Sequence, residues 1–433
     1  MTRVTRTVIV KSVKLSRRAF RVFVELEGMY RNMVEQLTIY AVSNNIRCFT
    51  RLKALKYREM RSMYLQLPSH YVYTACQDTS TRAKSFMRLK KLGLAEKEYP
   101  EVKKISIWLD DHLWKSNGLT SIRIATHKGW VTIEIEPRRQ YWRYVNREWK
   151  LASETKIKLD KRNRQLVIYL TFIKEVEEYK PRGYLPVDVN ENNVTMLVDG
   201  IAYFFKTNTE KLVLGYHYRR KRIQEKYDKL YGVKSRIKRK ILRKLKEREK
   251  KQDVRWKIAN IIVRVAYEKH YAIVLEKLGK KPANNMIKRI KDKQLRHRIF
   301  QTSFKGIQKA IEEKAREYGV PVIYVNPRNT SKLCPIHKTP IKYSNGSRVG
   351  RCSKGGELWH RDVIACWNLL FRALRGDGSN APNPVGSILV DGWVVPLPTT
   401  ATHDPIGISK SLWARWKSLE DELIHPKPPQ PTL

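Results

Sequence analysis

Long apolar runs are missing from this chain. None reaches the roughly 18 consecutive residues that a membrane-spanning helix needs, and the opening MTRVTRTVIVKSVKL lacks an apolar stretch followed by a small-residue cleavage site. No membrane partner is expected, and a cytoplasmic location is. Cysteine is scarce too: Cys48, Cys76, Cys334, Cys352 and Cys366 are an odd number, widely scattered. That argues against a disulfide framework and leaves metal binding as the more useful question. Acid is the third shortage. Against 88 Lys and Arg stand 41 Asp and Glu, for a formal charge of +47. An imbalance of that size calls for a polyanionic partner, and nucleic acid fits better than a membrane surface. At 433 residues, 42% of them hydrophobic, the chain still has the length for two or three domains and the apolar content for a sizeable core.

Residues 5–15 alternate as a strand does, and residues 17–95 then follow a helical rhythm, with Phe23, Met29, Met33, Leu37 and Tyr40 spaced near a 3.6-residue repeat. Strand character returns after Pro100 in ISIWL, SIRIAT, WVTIEIE, TKIKL and LVIYLTF. The expectation is a β-barrel or small antiparallel sheet over 1–182, with a helical unit inserted at about 17–95. Two adjacent domains would differ only in where the first strand pairs. A linker is expected at Tyr179-Lys180-Pro181-Arg182-Gly183.

Beyond it, over 183–375, come three strands (YLPVDV, NVTMLVD, GIAYFFK), a helix at 254–270, strand YAIVL, a helix from about 303 to 318, strand VPVIYV and a last helix opened by Asp362. That is the order of the RNase H-like nuclease fold, and it makes the whole an α+β multidomain chain. A first insertion occupies 207–253. Between Arg219 and Lys251 about half the residues are Lys or Arg, and like charges at i,i+4 destabilise a bare helix. A phosphate backbone lying against Lys238, Arg239, Lys240, Arg243 and Lys244 accounts for them better than solvent does. A second insertion, at about 329–358, carries Cys334-x-x-His337 and Cys352-x-x-Gly355. The tail, 376–433, is rich in Pro and Gly and reads as extended or disordered.

In this order Asp188 lies on a central strand, Glu276 follows the fourth strand, and Asp362 sits at a helix N-terminus, a favourable place for an anion. Adjacent strands and the helix packed beside them should bring the three carboxylates together. Three such groups repel one another unless divalent cations sit between them, and a pair of Mg²⁺ ions is what phosphodiester hydrolysis can use. Cys334, His337 and Cys352 supply three ligands where a structural zinc wants four. His360 or Cys366 is left to complete the set, and a metal-free hairpin held by packing is the alternative.

Four segments, VDVNENNVT (187–195), IVLEKL (273–278), VNPRNTSKLC (325–334) and HRDVIACWNLL (360–370), together resemble the motifs of the TnpB (OrfB) proteins of insertion sequences. Those are RNA-guided nucleases that look like ancestors of the type V CRISPR effectors. The resemblance covers nearly everything before the tail. It implies a RuvC-like site of Asp188, Glu276 and Asp362 that cuts double-stranded DNA, a guide RNA, and a short target-adjacent sequence read by the N-terminal half. It also implies a zinc ribbon, an Arg348 able to approach the scissile phosphate, and a nucleoid-associated setting. The chain departs from the family at Asn190, where Gly is usual, at His360, where an acid or Asn is usual, and in the ribbon, whose arms end in His337 and Gly355 instead of Cys. A nuclease-inactive RNA-guided repressor and a transposase acting directly on element ends are the competing readings. Three intact acids count against the first, and the lack of a recognisable HUH pair against the second.

Overall fold

A computed structural model describes residues 1–145, 148–279, 282–288, 290–344, 346–376 and 400–401; nearly all of the tail expected to be extended lies outside them. The chain divides into two units, one of Arg3–Glu175 and one of Met1–Thr2 with the chain from Val176 onward. In the first, β1 (Thr2–Ser12) buries Val4, Val8, Val10 and Ser12, mostly at the two-residue period of a strand with one face inward. The Ser16 hydroxyl accepts a hydrogen bond from the N–H of Ala19 at 3.2 Å and starts α1 (Arg17–Ser43). Phe23, Leu26, Tyr30, Met33 and Leu37 form its buried stripe, against which α3 (His70–Lys91) packs after α2 (Phe49–Met63).

Then follow β2 (Ile107–Leu109), β3 (Trp114–Ser116), β4 (Ser121–Thr126), β5 (Gly129–Glu136), α4 (Arg139–Val145), β6 (Lys150–Leu151), β7 (Thr155–Asp160) and β8 (Gln165–Val176). They join β1 in a nearly closed sheet of order β2-β7-β8-β1-β5-β4-β3, with β6 on β8. A strand from before the three helices is thus paired with strands from after them, Lys11 standing opposite Glu136.

The second unit contains β9 (Gly183–Val189), β10 (Asn193–Val198) and β11 (Ile201–Lys206), then α5 (Thr209–Tyr231), α6 (Arg236–Lys244) and α7 (Glu247–Glu268). After β12 (Tyr271–Glu276) come α8 (Pro282–Ile287), α9 (Lys293–Thr302), α10 (Phe304–Tyr318) and β13 (Val322–Val325). The chain continues with β14 (Ile341–Tyr343), β15 (Val349–Cys352), β16 (Leu358–His360), α11 (Arg361–Arg375) and β17 (Thr400–Ala401). The six-stranded sheet has the order β13-β12-β9-β10-β11-β17. Its first three hairpin-linked strands, β9 to β11, are antiparallel, while β12 and β13 run parallel to β9.

Alternation along these strands decides the faces. Leu185, Val187, Ile273 and Leu275 point into a core closed by α7 and α10. Ala272 and Val274 point the other way and pack with Leu369 and Ala373 of α11. Gly319 ends α10 at φ 69°, where a Cβ would strike the carbonyl oxygen of Glu177. The basic insertion does not stop at 253. Its last turns are the start of α7, continuous with the helix that covers the sheet, because nothing in the sequence breaks the helix between Glu247 and Ile258. Among the described residues no helix is long and apolar enough to cross a membrane.

Candidate metal sites

The two-residue period that buries Val187 turns Asp188 to the opposite face, under α11. On the neighbouring strand Val274 pairs with Pro186, so continuing the register sets Glu276 level with Asp188. Both acids therefore stand at the carboxyl ends of adjacent parallel strands, where open α/β sheets commonly hold their ligands. Asp362 comes from above. His360 is the N-cap of α11, its Nδ1 accepting from the N–H of Asp362 at 3.3 Å, so the helix begins one residue before Asp362 rather than at it.

Each carboxylate has its own neighbours. Asp188 is 8% exposed and accepts from Nδ2 of Asn190 at 2.6 Å. Burial, then the charges of Glu276 and Asp362, push its carboxyl well above the ordinary carboxylate range, against the pull of Asn190 and Arg361. Burial also raises Glu276, opposed by Arg372 and by a 2.8 Å hydrogen bond from the Thr330 hydroxyl. Asp362, 2% exposed, accepts from Nδ2 of Asn193 at 3.0 Å and from Nη1 of Arg348 at 2.9 Å. Glu191, close by in the chain, is already matched by Arg298 at 2.7 and 2.9 Å; Asp199, at the other end of the sheet, takes Lys269 and the Tyr271 hydroxyl, each at 2.6 Å.

A donor set of three carboxylates, all oxygen, suits a hard cation such as Mg²⁺. The three carboxylates are not among the clusters whose ligand atoms all lie within 4.8 Å of one another. Bonds of about 2.1 Å let one Mg²⁺ reach ligands at most roughly 4.2 Å apart, so no single ion touches all three as they stand.

One cluster that does meet the 4.8 Å limit is Cys334, His337, Cys352 and Glu357. It lies where β14, β15 and β16 form a small antiparallel sheet. Neither residue considered from the sequence completes it. The His360 ring is committed to capping α11 and stands edge-on to Phe204, and Cys366, fully buried, points its Sγ at the carbonyl of Thr195. Glu357 went unread because no metal-ligand spacing points to it. Burial raises the Cys334 thiol. Burial acts on Cys352 as well, but hydrogen bonds from Thr339 and the N–H groups of Gly355 and Lys354 bring it down to about 7.

In the basic insertion Arg239, Lys240, Arg243 and Lys244 face solvent on α6. Lys238 does not. It is 7% exposed, and its Nζ bonds the Asp228 carboxylate and the Val233 carbonyl, which closes the turn from α5 to α6. A buried, paired ammonium is not free to meet a phosphate, so Lys238 leaves the set of contacts. Arg348 has a half-exposed side chain beside Asp362. Sequence reasoning also missed Asn193, Thr330 and Asn368, since a polar residue that steadies another is visible only once the chain is folded.

The family model of the Cas12f1-like TNB domain matches residues 304–369, from α10 through most of α11. That of the uncharacterized MJ0013 family matches residues 26–125. The TnpB-like protein MJ0751 of Methanocaldococcus jannaschii is 28% identical over 285 residues, 62% of this chain and 95% of that one. The uncharacterized protein MJ0857 of the same organism is 28% identical over 245 residues, 52% of this chain and 89% of that one. Among solved structures, Cas12f1 in a complex with sgRNA and target DNA aligns over 82% of this chain and 83% of its own, with a TM-score of 0.57 and 14% identity, a likeness of fold. With the four motif segments in their places along this architecture, the chain is similar to the TnpB-like proteins over much of its length.

Proposed function

We propose that the protein is an RNA-guided, Mg²⁺-dependent endonuclease of a transposable element, cutting double-stranded DNA beside a short target-adjacent motif through a RuvC-like site of Asp188, Glu276 and Asp362. The observation that carries this reading is the convergence of three acids: Asp188 and Glu276 stand level on adjacent strands under α11, and burial together with the charges of Glu276 and Asp362 raises the Asp188 carboxyl. When bound, a pair of Mg²⁺ ions supplies an activated water and a counterion for the leaving 3′ oxygen. The protein's part is to hold Asp188 and Glu276 on rigid neighbouring strands and Asp362 on the first turn of α11. Asn190, Thr330 and Asn193 each fix one carboxylate by a single hydrogen bond. Arg348, half-exposed at the edge of the site, is the group that reaches the scissile phosphate.

The domain assignment follows from the same reading. The nearly closed sheet is a wedge, with α1 to α3 as the recognition unit that reads the target-adjacent motif. The unit from 183 to 375 is the RNase H-like nuclease, with the basic helices α5 and α6 along the guide RNA and β14 to β16 as its ribbon. Basic side chains neutralise phosphates on any strand and select no target. Base pairing with the guide does, the protein reading shape and a short flanking motif. A repressor without nuclease activity would leave the three acids idle.

Replacing Asp188, Glu276 or Asp362 singly with Ala should abolish cleavage in Mg²⁺ and leave nucleic-acid binding largely unchanged, because these groups hold metal rather than phosphate. Exchanging the guide segment of the copurifying RNA should move the cut. Cleavage that stays at the old sequence, or that proceeds equally well without RNA, overturns the reading.

A further inference from the structure

The second arm of the ribbon ends in Gly355, which has no side chain to offer a metal. The space is not vacant, however. A Cβ built at Gly355 would collide with Oε1 of Glu357 and Cε1 of His337, so the Glu357 carboxylate occupies the volume in which a side chain at 355 would lie. We infer that Glu357 supplies the fourth ligand and that Cys334, His337, Cys352 and Glu357 bind one tetrahedral divalent ion of the zinc class.

Distances support it. Metal–ligand bonds of about 2.0–2.1 Å to N and O and 2.3 Å to S place the corners of a tetrahedron roughly 3.3–3.8 Å apart. Nδ1 of His337 lies 3.3 Å from Oε1 of Glu357, 3.5 Å from Sγ of Cys352 and 3.7 Å from Sγ of Cys334. The second oxygen of Glu357 is buried without a hydrogen-bond partner, which is costly for a carboxylate that has nothing else to bind. Around the cluster, the N–H of His337 points at Sγ of Cys334 at 3.5 Å and the N–H of Gly355 at Sγ of Cys352 at 3.4 Å, the outer hydrogen bonds that steady thiolate ligands. Two thiolates, an imidazole and a carboxylate make a harder set than four thiolates, so the site should also accept Co²⁺ readily. The inference is independent of the three-acid site, and its test needs no cleavage assay.

The test is metal content and coordination of the full chain. Elemental analysis should find one zinc per chain, and X-ray absorption should count two sulfurs at about 2.3 Å and two lighter ligands at about 2.0–2.1 Å. Glu357→Ala should weaken zinc retention against a competing chelator by no less than the roughly 10–100-fold that loss of an outer-shell partner costs. The variant Glu357→Cys should recover it, since a thiolate at the same position can take the carboxylate's place without a new Cβ against the His337 ring, and its Co²⁺ form should gain the charge-transfer intensity of a third thiolate. That recovery separates a lost ligand from a misfolded hairpin. Chain without affinity for zinc, a sulfur count other than two, or native retention by Glu357→Ala overturns the assignment.

Discussion

Asn368→Ala tests how the loop behind Glu276 is tied to the helix that carries Asp362. Asn368 is 7% exposed on α11, and its Nδ2 donates to the carbonyls of Thr330 at 2.7 Å and Leu333 at 2.8 Å. The Thr330 hydroxyl in turn bonds Glu276, so one amide joins the third acid to the second. Truncation removes two neutral hydrogen bonds, worth about 1 kcal/mol each, and leaves two carbonyls short of a donor at about 1–3 kcal/mol apiece. Water can enter the small space vacated by the amide, which holds the total to about 2–4 kcal/mol. For a unit of this size, each kcal/mol lowers Tm by about 2–4 °C, so a fall of roughly 5–15 °C is expected by calorimetry of the full chain. The control is Asn163→Ala, an exposed turn residue bonded to Asp160, which should stay within about 0.5 kcal/mol of the parent. With the loop loosened, half-maximal cleavage should need several times more Mg²⁺. An Asn368→Ala protein that melts with the control and keeps the parent's Mg²⁺ requirement would show that this bridge does not hold the site.

The raised carboxyl of Asp188 sets a sign for pH. Between the ordinary carboxylate range and its raised value the folded chain holds a proton that the unfolded chain has lost, so metal-free stability should fall as pH rises through that window, while Mg²⁺ affinity rises over the same window as the carboxylate forms. Melting curves of parent and Asp188→Asn, taken without Mg²⁺ from about pH 5 to about pH 8, should show the steeper decline in the parent; equal slopes would refute the perturbation. On α6, replacing Arg239, Lys240, Arg243 and Lys244 with Gln should weaken RNA binding and reduce the slope of log K against log salt by up to roughly 3, without redirecting cleavage. Lys238→Ala, by contrast, should lower stability by unpairing Asp228 and contribute little to that slope.

Much of the second unit was legible because its strands are buried on two faces and its helices on one. YLPVDV and YAIVL are short apolar runs bounded by turn residues; the first carries an acid one residue before its end and the second is followed by one. What stayed hidden lacks a periodic signature. No residue of α8 is buried and α9 buries only Thr302, so neither helix writes an apolar stripe. β3 and β6 have three and two residues, too few to alternate visibly. Lys238 looks like its neighbours in sequence, and only the return of α6 onto the end of α5 pairs it with Asp228. Glu357 follows two glycines and no ligand spacing includes it. Its role appears only when the turn after Cys352 folds its carboxylate back over Gly355.

The placement of these features explains why the ribbon bears on Asp362 and Arg348 more than on Glu276. β14, β15 and β16 have three, four and three residues, too little sheet to be stable alone. On one side Ile341, Cys334, Cys352 and Trp359 pack with Val363, Ile364 and Trp367. On the other, the ligand cluster ties the two arms together. β16 runs without a break into His360 and Asp362, Val349 stands opposite His360, and the N–H of Arg361 donates to the carbonyl of Arg348 at 2.8 Å. A shift of the hairpin therefore moves the cap of α11 and the guanidinium that meets Asp362. Glu276 is held by a different route, through Thr330 and Asn368. The two routes meet in the backbone of α11, whose stiffness over the seven residues from Asp362 to Asn368 helps to set the third carboxylate against the other two, and again where Asn368 bonds the Leu333 carbonyl beside Cys334.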